Sequence, residues 1–389
     1  MATVKVKFRQ SSVEGSEGSI YYQVLKDRVP RQISTTFKVF PNEWDFKRGR
    51  VVIPKNSERE EHLINIRELI RKDISRINKI IQMMDDRGIE YSGEDVCDEF
   101  HLYSRKLSLV NYMTSVIARL KQNGKIATAS HYKTALNSFM RFLSSRGDDD
   151  IMMDNISSEI LVDFESYLQA SGIRRNTSSA YMRNLQTAYN KAVEEGLICQ
   201  SRPFRHVYTG VDKTIKRAVG LNVIASIKSL DLSEYPNLDF ARDMFVLSFY
   251  FRGMSFVDMS FLKKSDLKGN QITYYRRKTG QCLNIKWTHD MQAIVEKYPE
   301  NSSDFLLPII KNKGVNEYYA YRNVAAKVNR NLKKVGEMVG CEISLTHYVA
   351  RHSWATGAQS QKIPIKIISK GMGHDSELTT QIYLASIGS

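Results

Sequence analysis

The chain has 389 residues, a formal net charge of +15 and a pI near 9.4. That length exceeds one ordinary compact domain, so two or three are expected, and 42% hydrophobic residues suffice for their cores. The surplus of lysine and arginine favours a polyanionic partner, nucleic acid before membrane, although a merely basic soluble protein has the same composition. Cys97, Cys199, Cys282 and Cys341 are far apart and form no Cys-x-x-Cys pair, which argues against zinc fingers and for a reducing compartment. The first residues carry charges where a signal peptide needs an apolar run, and no stretch is long and uncharged enough to span a bilayer. A soluble, intracellular protein is expected.

Val4, Val6 and Phe8 alternate with Lys5, Lys7 and Arg9, the pattern of a half-buried strand with a basic face. After a glycine-rich loop, residues 20–25 and 33–40 read as further strands, joined through a connection in which Pro30 suits a turn. From Glu60 to about Asp86, Leu63, Ile66, Ile70, Ile74, Ile77, Ile81 and Met84 recur at helical spacing. The mixed charges on the other face of this helix point to solvent; it is either a spacer or a cover for the sheet. The stretch on to about His101 reads as a linker.

Residues 103–198 read as four helices. The first covers 107–120 and stops at Gly124; Thr128 can cap the second, with its stripe of Tyr132, Leu136, Phe139, Met140 and Leu143. The third covers 157–168, and Asn176 can cap the fourth. Around that fourth start, Arg174, Arg175 and Arg183 mix with Ser, Thr and Asn, a composition that contacts phosphates and equally suits an ordinary polar helix start. Residues 201–205 and 213–217 form a basic connector that fits a linker crossing the DNA backbone, a solvated hinge, or both.

In the last part, residues 271–286 read as a hairpin turning at Lys278 to Gly280. A long helix from about 316 to 336 presents Arg322, Lys327, Arg330 and Lys333, as a helix lying along DNA or facing solvent would. Breaking a phosphodiester without metal requires a nucleophile, cations for the developing charge and an acid for the leaving oxygen. Tyr383, with Arg351 and His374, can supply the first two.

The segment resembles the C-terminal half of the tyrosine recombinase (phage integrase) family. Residues 351–356 read R-H-S-W-A-T and residues 372–383 read M-G-H-D-S-E-L-T-T-Q-I-Y, both in the family's order and spacing. The resemblance makes Tyr383 the nucleophile, Arg351 a bidentate phosphate clamp and His374 a donor to the same phosphate. Lys278 matches the family's hairpin lysine, and an ammonium there can protonate the leaving 5′ oxygen. Arg276 and Arg277 then read as DNA-backbone clamps, and His352 as a buttress. Gly253, Met254, Asp258, Met259, Leu262, Asp266 and Leu267 also match the family pattern, but its first catalytic arginine falls on Ser255. Arg252, one helical turn back, is the expected replacement. A second departure puts Tyr348 where the family has histidine, with His347 one place off.

The resemblance implies a mainly α fold with small β-sheets (α+β). Its parts would be an arm-type DNA-binding domain over residues 1–100, a helical (SAM-like) core-binding domain over 101–200 and a catalytic domain of the tyrosine recombinase fold over 201–389. The implied activity is site-specific cleavage and rejoining of DNA through a 3′-phosphotyrosyl intermediate, serving integration, excision or inversion. No cofactor, metal or ATP is implied. Implied partners are double-stranded DNA at core and arm-type sites, a homo-tetramer on that DNA and accessory DNA-bending proteins; no membrane is involved. The setting would be the bacterial cytoplasm, with Ser255 and Tyr348 resembling integrases and invertases of Bacteroides-type mobile elements. Two alternatives remain open at this point, an impaired architectural DNA binder and a type IB topoisomerase-like enzyme.

Overall fold

A computed structural model describes residues 1–54, 58–88, 90–212, 217–299, 301–312, 314 and 316–384, excluding the side chains of residues 382 and 383. It divides into two compact units, residues 1–212 and 213–389. The basic stretch at residues 213–216 and the tail after Leu384 lie outside the described residues.

The first unit opens with an antiparallel sheet in the order β1 (Thr3–Arg9), β2 (Gly18–Lys26), β3 (Val29–Val39). The β2–β3 turn falls on Asp27 and Arg28, both at positive φ, as a tight hairpin requires. Pro30 is therefore not the turn residue; it lies within β3 opposite Leu25, where an edge strand tolerates its missing N–H. A two-stranded ladder, β4 (Trp44–Asp45) and β5 (Arg50–Val51), follows. Helix α1 (Glu60–Asp86) covers the sheet, with Leu63 and Ile66 meeting Ile20, Val39 and Trp44, and Ile77, Ile80 and Ile81 meeting Tyr22, Val24 and Ile33.

Two expectations fail here. The stretch read as a linker is helix α2 (Gly93–Leu107), started by a capping box in which Ser92 and Asp95 bond each other's backbone N–H. Nor is the polar face of α1 all solvated. Asp73 and Arg76 are buried, with the Tyr22 hydroxyl donating to Asp73 at 2.8 Å and Arg76 donating to Asp73 at 2.6 Å and to Asp154. Burial raises the Asp73 carboxyl above the usual carboxylate range, against the pull of Tyr22 and Arg76. A spacing argument misses this because charges at helical positions look alike whether or not a partner covers them.

Helices α3 (Leu109–Gln122), α4 (Ile126–Ser145), α5 (Ser158–Ala170) and α6 (Arg175–Glu194) enclose a core in which Phe139 and Phe164 pack edge to face at 4.9 Å. Three caps differ from or add to expectation. Ser157 caps α5, while α4 starts after Lys125 rather than at Thr128, and α6 starts after Arg174. Asn176 instead exchanges two hydrogen bonds with the Asp212 backbone. Phe204 and Val207 join this core, so the first part of the basic connector is packed against the helices.

The second unit begins with α7 (Leu221–Ser229) and α8 (Pro236–Tyr250). Helix α8 is buried nearly all round over residues 241–248, Phe245 and Leu247 fully so, and the charges of Arg242 and Asp243 within that run pair with each other. Then come α9 (Phe256–Ser260), the sheet β6 (Leu267–Lys268), β7 (Gln271–Tyr275), β8 (Cys282–Lys286), and helices α10 (His289–Glu296) and α11 (Glu317–Met338). Helices α12 (His347–Ser360), α13 (Ile365–Met372) and α14 (Glu377–Leu384) complete it. The mainly α architecture with small sheets is as the sequence implied.

Removing Arg76 would strand two carboxylates at least partly out of water. Arg76→Ala is expected to lower unfolding free energy by about 3 kcal/mol or more. Urea denaturation followed by circular dichroism measures this, and a loss under about 0.5 kcal/mol would contradict it.

Candidate active site

Arg351 lies on the buried face of α12 and is 3% exposed. Its Nη1 donates to the Gly253 carbonyl at 2.7 Å, and its Nη2 to the Met372 carbonyl at 2.7 Å. Gly253 has φ +74°, and a Cβ there would sit 2.6 Å from the Arg351 Cα, so only glycine allows this approach. The Arg351 Nη2 also lies 2.9 Å from the His374 Nε2. A guanidinium has no acceptor, so the Nε2 accepts and the proton sits on Nδ1, which donates to the Thr380 hydroxyl at 2.8 Å. Burial first, then Arg351, Arg276 and Lys278, hold the His374 imidazole down at about 3, so it is neutral near pH 7.

The β7–β8 hairpin is stitched onto the turn that follows α13. Arg276 donates to the Gly373 carbonyl, and Gln281 donates to the His374 carbonyl at 3.2 Å and to the Asp375 carboxylate at 2.9 Å. Lys278 is exposed at the hairpin tip, close enough for its charge to act on His374. Arg277 is also exposed; its guanidinium rests over the Phe261 ring at 3.9 Å and its N–H donates to Asp258 at 2.9 Å. Arg276, read with Arg277 as a DNA-backbone clamp, is only 8% exposed and lies inside the site. The signal was present: Ile272, Tyr274 and Arg276 share the buried parity of β7, while Tyr275 and Arg277 face out.

Helix α8 ends at Tyr250, and Arg252 sits in the next turn at φ +57°, so it does not share a helical face with position 255. Ser255 is the N-cap of α9; its hydroxyl accepts from the Asp258 N–H and donates to the Asp258 carboxylate at 2.6 Å. Arg252 is half-buried, and its Cδ lies 3.6 Å from where a Cβ on Gly371 would be. The charges of Arg351, Arg276 and Arg252 all act on the buried Tyr274 phenol. His347 turns into the core, edge-on to Phe256 and 3.3 Å from the Met259 sulfur, and burial holds its imidazole at about 3. Tyr348 is half-exposed and packs edge-on against His352, whose ring is buried beside Arg351 in sequence. Tyr383 lies on α14, one turn beyond Thr380; its side chain is outside the described residues.

The residues read as DNA contacts divide. Arg174 is exposed at the start of α6, and Arg175 is exposed over the Tyr208 ring and 3.4 Å from Asp212. Arg183 is committed inward, one nitrogen donating to Ser179 and to the carbonyls of Thr209 and Gly210. Lys327 and Arg330 are exposed on α11.

Three family models match successive parts of the chain: an arm DNA-binding domain over residues 7–96, a phage integrase SAM-like domain over 108–207 and the phage integrase family over 244–387. Curated relatives include tyrosine recombinase XerA of Pyrococcus furiosus, 25% identical over 59% of this chain and 90% of its own length. Tyrosine recombinase XerC of Rickettsia prowazekii is 22% identical over 68% of this chain and 88% of its own. The fold is similar to that of a lambda integrase tetramer bound to a Holliday junction, with a TM-score of 0.54 at 13% identity over 99% of this chain and 96% of the other. A lambda integrase fragment bound to a core site gives 0.54 at 16% identity over 72% and 96%. The chain belongs to the phage integrase family. It is an enzyme, a site-specific DNA recombinase of the tyrosine type.

The two depressed histidines set a pH dependence. Below about 6.5, the unfolded chain takes up protons at His347 and His374 that the folded chain refuses until about pH 3. Stability is expected to fall as pH is lowered through that window. Denaturant titrations at several pH values measure the slope, and His347→Gln should flatten it while lowering stability throughout.

Proposed function

We propose that Tyr383 attacks the scissile phosphorus while Arg351, His374 and Lys278 serve the same phosphate. The tyrosine oxygen to phosphorus bond forms as the bond from phosphorus to the 5′ oxygen breaks, and the proton of Lys278 goes to that leaving oxygen. A 3′-phosphotyrosyl bond and a free 5′ hydroxyl result. Attack by a partner strand's 5′ hydroxyl reverses the step, so bond energy is conserved and no cofactor is required.

The observation that carries this reading is the convergence of Arg351, His374 and the Lys278 hairpin on one turn, residues 372–375, directly before the helix bearing Tyr383. On DNA binding, Arg351 turns its outer nitrogens from His374 to the non-bridging oxygens. The His374 Nε2 lone pair is then open to take the phenol proton, and the resulting imidazolium donates to the phosphate. Anionic phosphate among these cations raises the histidine's basicity at the moment it is used. Tyr348, half-exposed beside Arg351, bonds a neighbouring phosphate oxygen, and Arg252 binds the flanking backbone.

Arg174 and Arg175 of the first unit, Arg277 at the hairpin, and Lys327 and Arg330 on α11 hold the duplex by its phosphates. Arg183 acts indirectly, fixing the loop at residues 209–210. The sheet of β1, β2 and β3 contacts arm-type sites. Four protomers assemble on two DNA sites, aided by DNA-bending proteins, in a bacterial cytoplasm. No helix among the described residues is long and apolar enough to cross a membrane.

A duplex nicked beside the scissile phosphate loses the short fragment that carries the freed 5′ hydroxyl and traps the covalent adduct. Wild-type protein should form that adduct and Tyr383→Phe none; an adduct with the phenylalanine variant would sink the assignment. Lys278→Ala should slow cleavage by about 10²–10⁴. A substrate with sulfur at the leaving position, which needs no proton, should restore most of that rate. An architectural binder would form no adduct with either.

A further inference from the structure

The family pattern places a guanidinium at position 255, and here the side chain is a serine occupied with capping α9. One arginine therefore remains from the expected pair, although two non-bridging oxygens gain charge in the transition state. We propose that Arg276, entering from the hairpin, supplies the second guanidinium on the scissile phosphate. The inference rests on the recombinase reading and gives this residue a task in the chemistry beyond holding DNA.

Arg276 is more than nine-tenths buried, a placement that a residue reserved for the outer DNA backbone does not need. Its Nη1 donates to the Gly373 carbonyl, while Arg351 donates to the adjoining Met372 carbonyl, so the two guanidiniums rest on consecutive peptide units. The next residue is His374. The Arg276 Cδ would lie 3.1 Å from a Cβ on Gly373, so glycine there, at φ +63°, admits the side chain. The Nε of Arg276 is buried with no hydrogen-bond partner among the described residues, and no carboxylate pairs with its charge among the ion pairs described. The nearby Asp258 carboxylate accepts from Ser255 and from the Arg277 N–H.

A buried cation with an open donor, beside a second buried cation, is unstable without an anion. A phosphate diester supplies that anion, and the planar fork of arginine suits its oxygens. Arg252 has a weaker claim on geometric grounds, because it is half-exposed and, among the described residues, makes no hydrogen bond to the turn at residues 372–375. Arg276, Arg351 and Lys278 act on His374, and Arg252 is not among the charges that do.

The test separates charge neutralisation from positioning. Single-turnover cleavage of the nicked duplex is measured with an ordinary scissile phosphate and with a methylphosphonate, in which one charged oxygen is replaced by an uncharged methyl. Arg276→Ala should cleave the phosphate about 10²–10³ slower than wild type. It should come within about tenfold of wild type on the methylphosphonate, where there is less charge to neutralise. Arg276→Lys, which keeps the charge and the reach to Gly373, should fall between the two and guards against simple misfolding of the alanine variant. Equal losses on both substrates would assign Arg276 to positioning and overturn the proposal. So would full activity on phosphate, or a charge-selective loss in Arg252→Ala that Arg276→Ala lacks. A wild-type chain that forms no adduct with the phosphate would instead overturn the recombinase reading itself.

Discussion

The guanidinium of Arg351 is the point on which the second unit converges. Its nitrogens join the turn after α8, through the Gly253 carbonyl, to the turn after α13, through Met372 and His374. Residues remote in sequence thus share one buried cation. Hydrogen bonds from a charged donor are stronger than neutral ones, and in a low-dielectric setting each helps to fix the direction of the others. The arrangement determines the tautomer of His374, the close approach at Gly253 and the place against which the hairpin is pinned.

The site is built with an excess of positive charge. Arg351 is held down to about 10 by burial and by Arg276, and burial first, then the neighbouring charges, keep the His374 ring from becoming another cation. Energy is thus stored in the unbound site as mutual repulsion and lost solvation. In the proposed reaction a phosphate entering it relieves both, so the same groups that disfavour the empty state favour binding and then the more highly charged transition state. The neutral histidine suits the proposed proton transfer, because a ring already protonated could accept nothing from the nucleophile.

Much of this is legible in the sequence. The run from Arg351 to Thr356 and the spacing from His374 to Tyr383 define the site, and the periodicity of α1 gives its bounds as Glu60–Asp86. What escaped were features decided by a partner distant in sequence. The burial of Asp73 and Arg76 depends on Tyr22 and Asp154. Asn176 leaves the helix start for the Asp212 backbone. The turn at Arg252 removes the helical face that it was expected to share with position 255. Arg276 is the instructive case: the alternation of β7 placed it inward, but a basic residue next to a hairpin tip reads as a surface contact when strand parity is not carried one residue past the strand.

The buried pairing of Arg76 with Asp154 has a further consequence for how this molecule can be divided. Asp154 belongs to the turn before α5, whereas Arg76 belongs to the helix over the amino-terminal sheet. A fragment beginning at α3 would keep the carboxylate and discard its counter-ion, and it would open to water the side of the helical bundle that Met152 and Asn155 present to the same arginine. The sheet with its covering helix is therefore not a detachable appendage in the way a tethered tail is. It is a fitted wall of the bundle, and dissection of the chain for expression would do better to keep the first 212 residues whole.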